Sequence, residues 1–175
     1  MVKRNSALGK SIFHDSLPNT ENTYNDSREV SMEKITLSNH LKLQEMCDCY
    51  METDFLAAMQ GMAGADSKDI EEDAVKYLAL ALMYAISQKA EKLSFKKKGE
   101  EMKATIKNGA KEKLPLPAAA IMDEVFQIMR AILHIEEDKG EMELSLGLRS
   151  GEVNVMVKVE RGDSKQSLKI KLPTL

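Results

Sequence analysis

The sequence predicts an α+β fold in which an antiparallel sheet of about five strands carries helices packed on one face. Three consecutive runs near the C-terminus, 142–148, 153–159 and 168–172, alternate apolar with polar residues. A period of two is typical of strands with one buried face. Two longer segments, 68–91 and 117–137, instead repeat apolar residues at helical spacing. We therefore expect helices to cover the apolar side of the sheet.

The predicted organisation has three parts. Residues 1–33 are polar and rich in Asn and Ser, so we expect a flexible tail there. Residues 34–64 are expected to form an additional N-terminal helix. Residues 65–175 are expected to form the sheet domain, in which a helix is followed by ββ-α-βββ. At 175 residues the chain can bury a real core without disulfides or metals.

The first two strands are predicted from a hairpin pattern. Apolar and polar residues alternate over 93–95 and again over 102–106, and the segment 97–100 between them has the composition of a turn. A helix is the competing interpretation, because Met102 and Ile106 are also four residues apart. We favour the hairpin.

Each predicted helix has its own pattern. The helix over 37–62 has an irregular apolar stripe, and the helix over 68–91 is apolar nearly all round and should be covered on more than one side. Asp66 or Ser67 is expected to cap the second helix. The helix over 117–137 has a regular stripe, which we expect to pack on the sheet, with a homodimer seam as the alternative. Its positions are Ile121, Val125, Ile128, Ile132 and Ile135.

Composition excludes several classes of protein. The net charge of −3 does not predict nucleic-acid binding, so nucleic acid is not an expected partner. No run approaches about 20 apolar residues, and no apolar run follows the basic N-terminus, so neither membrane insertion nor a secretory signal is expected. Two cysteines do not make a disulfide framework, and a cytoplasmic location is the simplest expectation.

The residues that could carry chemistry are few. Cys47, Cys49 and His40 could suggest a metal site, but side chains two residues apart on a helix diverge by about 200°, and a zinc site needs four ligands. His40 as a phosphoacceptor lacks a neighbouring acid or base. Neither a nucleophile elbow nor a zinc-protease motif occurs. We predict no catalytic residue, no metal site and no cofactor.

Several local patterns between about residue 72 and the C-terminus resemble a known module. Ala90-Glu91-Lys92-Leu93-Ser94-Phe95 is similar to an Ala-Ser-Asp-Ile-His segment, and 102–109 to a Val-Arg-Tyr-Arg-Ile-Asp-Gly strand. Leu114-Pro115-Leu116-Pro117 and Lys139-Gly140 match the family's Leu-Pro and Asp-Gly segments. The module is the PAS-like second N-terminal domain of the ATPases of type II secretion and type IV pilus assembly.

The resemblance implies a free-standing adaptor domain with degenerate motifs. Lys92 and Ser94 stand where the family has Asp and His, and Lys103 and Thr105 replace its paired arginines. Lysine can neutralise phosphate but lacks the planar fork of arginine. The phosphate-binding Gly-x-x-x-x-Gly-Lys-Ser/Thr motif is missing from the chain, so ATP hydrolysis is not expected.

A lysine-rich stretch is the remaining candidate for binding. Between residues 92 and 113 the chain has eight lysines and three glutamates. The preferred interpretation is a solvated strand edge protected by lysine against edge-to-edge pairing. The alternative is a surface for an anionic ligand. The candidate contacts are Lys96, Lys97, Lys98, Lys103 and Lys107.

The function predicted first is a non-catalytic protein-interaction module whose partner is a pilus or secretion component, or a second copy of the chain. The alternative is a nucleotide- or nucleic-acid-binding regulator that uses the lysine-rich stretch. An enzyme of phosphotransfer type that uses His40 comes last.

Overall fold

The computed structural model describes residues 38–64 and 66–173. The tail predicted over 1–33 lies outside these residues. Within them the α+β class is confirmed, and the sheet has six strands rather than about five. The strands are β1 (Lys92–Lys98), β2 (Glu101–Asn108), β3 (Ala110–Lys113), β4 (Lys139–Leu148), β5 (Gly151–Arg161) and β6 (Lys165–Lys171).

The six strands form one antiparallel sheet in the order β3-β2-β1-β6-β5-β4. Strands β1, β2 and β3 form one meander, and strands β4, β5 and β6 form another. The two meanders join where β1 pairs with β6. The predicted hairpin over 93–106 is therefore confirmed, and the competing helix is wrong. Because β1 and β6 are central, their neighbours on both sides fix the direction of their side chains.

The extra strand is β3, which follows a turn at Gly109. Gly109 has a φ of +69°, a conformation that glycine adopts without steric cost. All four residues of β3 are exposed, so the strand has no alternation of apolar and polar residues to reveal it. β4 was also expected to begin later, after a turn at Lys139-Gly140, but both residues already pair with β5.

The helices are α1 at residues 38–49, α2 (Phe55–Gln60), α3 (Ile70–Ser87) and α4 (Ala119–Ile132). The single helix predicted over 37–62 is wrong, because Asp54 adopts an extended conformation and its carboxylate accepts a hydrogen bond from the N–H of Ala57. The N-cap of α3 is Asp69 rather than Asp66 or Ser67. Its carboxylate accepts from the N–H of Glu72.

A residue with left-handed backbone conformation follows each of the helices α3 and α4. Lys89 has a φ of 52° and His134 a φ of 51°. After each of them the N–H of the next residue donates to a carbonyl five residues back, from Ala90 to Ala85 and from Ile135 to Arg130. This is the Schellman arrangement that satisfies the last carbonyls of a helix.

The core lies between the sheet and the pair α3–α4. Helix α3 is buried on nearly every side, as its pattern predicted. Its Tyr77 packs against Phe95 of β1 with ring centroids 6.0 Å apart, and the Tyr77 hydroxyl donates to the carbonyl of Pro115 at 2.7 Å. The apolar stripe of α4 is buried within the same chain, which is the packing expected first.

Helix α1 lies along the outer edge of β4. Its side chains at intervals of four residues contact alternate residues of β4 and of the turn that follows it. His40 Nε2 lies 2.9 Å from the carbonyl oxygen of Ser145, Gln44 Oε1 accepts from the N–H of Gly147, and Asp48 accepts from the N–H of Arg149. Leu43 and Cys47 of α1 join the main core. The helix therefore satisfies backbone groups that an edge strand would leave open.

In the part of the chain that the structure describes, none of the helices combines the length and apolarity needed to cross a membrane.

Candidate polyanion-binding face

The side of the sheet that faces away from α3 and α4 is dominated by lysine. Leu93, Phe95 and their partners on β2 and β6 point into the core, so the alternate residues of these strands point outward. We call the outward lysines of the four adjacent strands β3, β2, β1 and β6 the lysine face. Its members are Lys111 and Lys113, Lys103 and Lys107, Lys92, Lys96 and Lys98, and Lys165, Lys169 and Lys171.

The lysines of this face are directly opposed across the strands. Lys92 stands between Lys107 on β2 and Lys171 on β6, and Lys107 in turn faces Lys111 on β3. These four form one continuous row. Altogether six pairs of lysines are opposed on the outward side. The pairs are 92–107, 92–171, 107–111, 96–103, 98–165 and 158–169.

Three hydroxyl side chains form the floor between the lysines. Ser94 and Thr105 are cross-strand neighbours, and Ser167 faces Lys96. Ser94 is 7% exposed and Ser167 is 3% exposed, although both point to the outer side of the sheet. Short side chains therefore lie between long lysines on this side of the sheet, and the Ser167 hydroxyl donates to Oε2 of Glu160 at 3.4 Å. Hydroxyls can donate hydrogen bonds to an anion held there.

Few acidic groups neutralise this face. Glu101 is the acidic residue among the outward positions of the four strands, and it pairs with Lys103 at 2.6 Å. The hydrogen bond from Lys103 holds the pKa of Glu101 below its ordinary value. Lys107 contacts Glu91, just before β1, at 3.2 Å. Ten lysines against Glu101 give the face a net charge of +9, whereas the whole chain carries −3.

The two remaining strands bound the lysine face with carboxylates. Glu141 and Glu143 on β4, and Glu152 and Glu160 on β5, point to the same outer side. The charge of Lys169, and after it the hydrogen bond and charge of Lys158, lower the pKa of Glu160. Lys139 and Lys158 also point outward on these strands and face Glu160 and Glu141. Four carboxylates against two lysines make this part of the outer side, the acidic rim, net negative beside the basic lysine face.

The structure brings together four of the five candidate lysines. Lys96, Lys98, Lys103 and Lys107 belong to the lysine face. Lys97 does not, because it is one residue out of phase and points toward the helices. Its Nζ lies 2.6 Å from Oδ1 of Asp123 on α4.

The lysines of β6 were not predicted as part of the site, nor was the side of the sheet to which each lysine of β1 points. Lys165, Lys169 and Lys171 lie more than 50 residues after β1, and only the pairing of β1 with β6 places them beside Lys92, Lys96 and Lys98. A usable signal did exist. The polar positions of the predicted strand over 168–172 are all lysine, with the same phase as the polar positions after Leu93.

The residues considered for metal or phosphoryl chemistry lie elsewhere. Cys47 is buried in the core, and Cys49 is exposed on the other side of α1. Burial, with a further contribution from Asp48, raises the pKa of the Cys47 thiol to about 12. His40 binds the backbone of β4. Across residues 38–64 and 66–173, no three His, Cys, Asp or Glu side chains are grouped as metal ligands would be.

Comparison with models of known protein families and with curated proteins finds no match to this chain.

Proposed function

We propose that the protein is a non-catalytic binding module and that the lysine face docks a polyanionic partner. The observation that carries this proposal is the set of six directly opposed lysine pairs. Like charges directly opposite one another on a sheet are destabilising. Five of these pairs lie within the lysine face, and the sixth joins Lys169 to Lys158 on β5. Repulsion at so many places is explained when an anion neutralises the face in the bound state.

Protection of a strand edge does not account for this arrangement. Lysines guard an edge when they stand on the outermost strand, where they discourage pairing with another chain. Here β1 and β6 are the two central strands and are paired on both sides. Six of the ten lysines belong to these two strands, so most of the charge lies where no edge exists.

The resemblance to the PAS-like adaptor domain stays a prediction and agrees with a binding role. The observed order from α3 to β6 is helix, three strands, helix, three strands, which retains the order of elements on which the resemblance rests and adds β3. Lys103 and Thr105, which replace the paired arginines of that family, both point to the outer side of the sheet. A secretion or pilus component with an acidic surface would be a partner of the required charge.

A single charge reversal tests the proposal. Lys92→Glu places a carboxylate between Lys107 and Lys171, so two repulsive pairs become attractive. We expect the free energy of unfolding in urea to rise by about 0.5–1 kcal/mol. We also expect the variant to elute from a heparin column at lower salt than the unchanged protein, because the lysine face has lost charge at its centre.

Lys68→Glu is the matched control, since Lys68 is an exposed lysine just before α3 and lies outside the lysine face. It makes the same change in net charge and should leave heparin elution close to that of the unchanged protein. A stability gain accompanied by unchanged heparin retention in Lys92→Glu would contradict the proposal, because the repulsion would then serve no binding role.

A further inference from the structure

Building on the proposed docking function, we infer that the polyanion is a nucleic-acid duplex held through its phosphate backbone, independently of base sequence. The whole-chain charge of −3 argued against nucleic acid, but that sum conceals a face of +9 separated from the acidic remainder. Electrostatic binding to nucleic acid depends on the charges that reach the phosphates rather than on net charge.

The kind of basic residue favours phosphate over a protein surface. The outward basic residues of β3, β2, β1 and β6 are all lysine. Arginine, whose fork binds carboxylates in a bidentate manner, is enriched at protein interfaces, whereas lysine is depleted there. Lysine contacts phosphate as a point charge. Hydroxyl groups, such as that of the half-buried Thr105 on this face, are also common donors to phosphate oxygens.

The absence of aromatic residues on the lysine face favours a duplex over a single strand. Proteins that bind single strands combine a basic groove with aromatic side chains on which the bases stack. The outward positions of the four strands hold lysine, serine, threonine and glutamate only. In a duplex the bases already stack on one another, so a face that offers charges and hydroxyls is sufficient.

The acidic rim indicates how the duplex lies. A duplex that continued across β5 and β4 would enter the acidic rim, where four carboxylates outnumber Lys139 and Lys158. A duplex that runs along β1 and β2 stays over lysine instead. From Lys92 to Lys98 the face extends about 20 Å, since a strand rises about 3.3 Å per residue. This length corresponds to about six phosphates of one duplex strand, which rise 3.4 Å each.

Fluorescence anisotropy with a labelled 24-base-pair DNA duplex tests the inference, and the single strand of the same sequence serves as a second probe. We expect the full chain to bind the duplex more tightly than the single strand, with no change when the duplex sequence is scrambled. Lys92→Gln/Lys107→Gln/Lys171→Gln should reduce the slope of log K against log salt by about 2–3, since each phosphate contact contributes about 0.9.

Lys68→Gln/Lys89→Gln/Lys97→Gln is the matched control, because it removes three lysines that lie outside the lysine face, and its salt slope should be unchanged. Folding of both variants is checked by circular dichroism. Two further probes, a polyglutamate peptide and vesicles that contain phosphatidylserine, separate this inference from the proposed function.

Four other results would overturn the duplex inference, the docking function or both. Retention of polyglutamate or vesicles through the lysine face without duplex binding overturns the duplex inference and leaves the docking function standing. Tighter binding to the single strand also overturns the duplex inference. Equal loss of affinity in both triple variants, or no binding to any probe, overturns the docking function as well.

Discussion

A shift of one residue along β1 decides whether a lysine points to the outer side of the sheet or toward the helices. Lys96 and Lys97 are adjacent and chemically identical, yet one joins the lysine face and the other forms an ion pair with Asp123. The sequence gives both residues the same appearance, because they lie in a run of three lysines. Only the alternation that begins at the buried Leu93 and Phe95 separates them.

A residue-scale prediction concerns Gly140 on β4. A Cβ at this position would lie 2.8 Å from Cδ1 and Cγ2 of Ile135, so Ile135 occupies the space that a side chain would need. We expect Gly140→Ala to lower the free energy of unfolding by about 1–2 kcal/mol, because the Ile135 side chain must shift within a packed region. Urea unfolding measures this change.

Gly162→Ala is the control for that substitution, since a Cβ at Gly162 would lie 3.8 Å from the carbonyl oxygen of Lys165, an ordinary van der Waals distance. It should change stability by only a few tenths of a kcal/mol. If the two alanine variants were equally stable, the close packing of Ile135 on Gly140 would not be present in solution.

At the scale of elements, α1 replaces a neighbouring strand for part of β4. His40, Gln44 and Asp48 are four residues apart on the helix. Their partners are two residues apart, Ser145 and Gly147 on β4 and Arg149 just after it. The spacings agree, because four helical residues advance about 6.0 Å and two extended residues about 6.8 Å.

Removing the three α1 side chains together tests this contact. His40→Ala/Gln44→Ala/Asp48→Ala should lower the free energy of unfolding by about 1.5–3 kcal/mol, because each lost hydrogen bond is worth roughly 0.5–1 kcal/mol. Hydrogen exchange should also become faster at the amides of Gly147 and Arg149, which lose their acceptors.

The control for α1 is Lys42→Ala/Glu45→Ala/Cys49→Ala, which truncates three exposed residues of the same helix. Both triple variants gain the same helix-favouring alanines, so a difference between them reports the contact with β4. Equal exchange rates at the two amides in all three proteins would show that α1 does not hold the strand.

The elements differ in how far sequence could predict them. The strands that end the chain and the helix α4 have clear periods, and they were predicted because one face of each is buried. Strand β3 was not predicted, since all four of its residues are exposed. The break at Asp54 was not predicted either, since it depends on a single capping carboxylate. The lysine face was found only in part, because its β6 members become neighbours of β1 through strand order.

For the whole molecule, buried acids of high pKa predict a loss of stability at alkaline pH. The hydrogen bond to Glu112, together with burial, raises the pKa of Tyr84 to about 12, and burial alone raises the pKa of Tyr77. The Cys47 thiol is raised to about 12 as well. In the unfolded chain these groups have pKa values of about 8.5–10, so above that range the unfolded state binds fewer protons than the folded state.

The sign of the effect follows from proton linkage. When the unfolded state binds fewer protons, the free energy of unfolding falls as pH rises. We expect it to be constant up to about pH 8 with respect to these groups and to fall between about pH 9 and 12.

Tyr84→Phe tests this expectation, because it removes one of the raised pKa values and leaves every charged side chain unchanged. Urea unfolding at a series of pH values should show a shallower alkaline decline for this variant than for the unchanged protein. Identical declines would mean that Tyr84 does not retain its proton in the folded state.

The helix that borders β4 has a consequence for how the sheet terminates. A seventh strand paired with β4 would itself have an open edge of amides and carbonyls, and a further chain could pair with that edge. A helix satisfies its own backbone groups internally. Residues 38–49 therefore pair with backbone groups of Ser145, Gly147 and Arg149 without exposing a new row of unpaired backbone groups. Along that stretch, a strand of another chain cannot add to the sheet, which is the step by which amyloid fibrils grow.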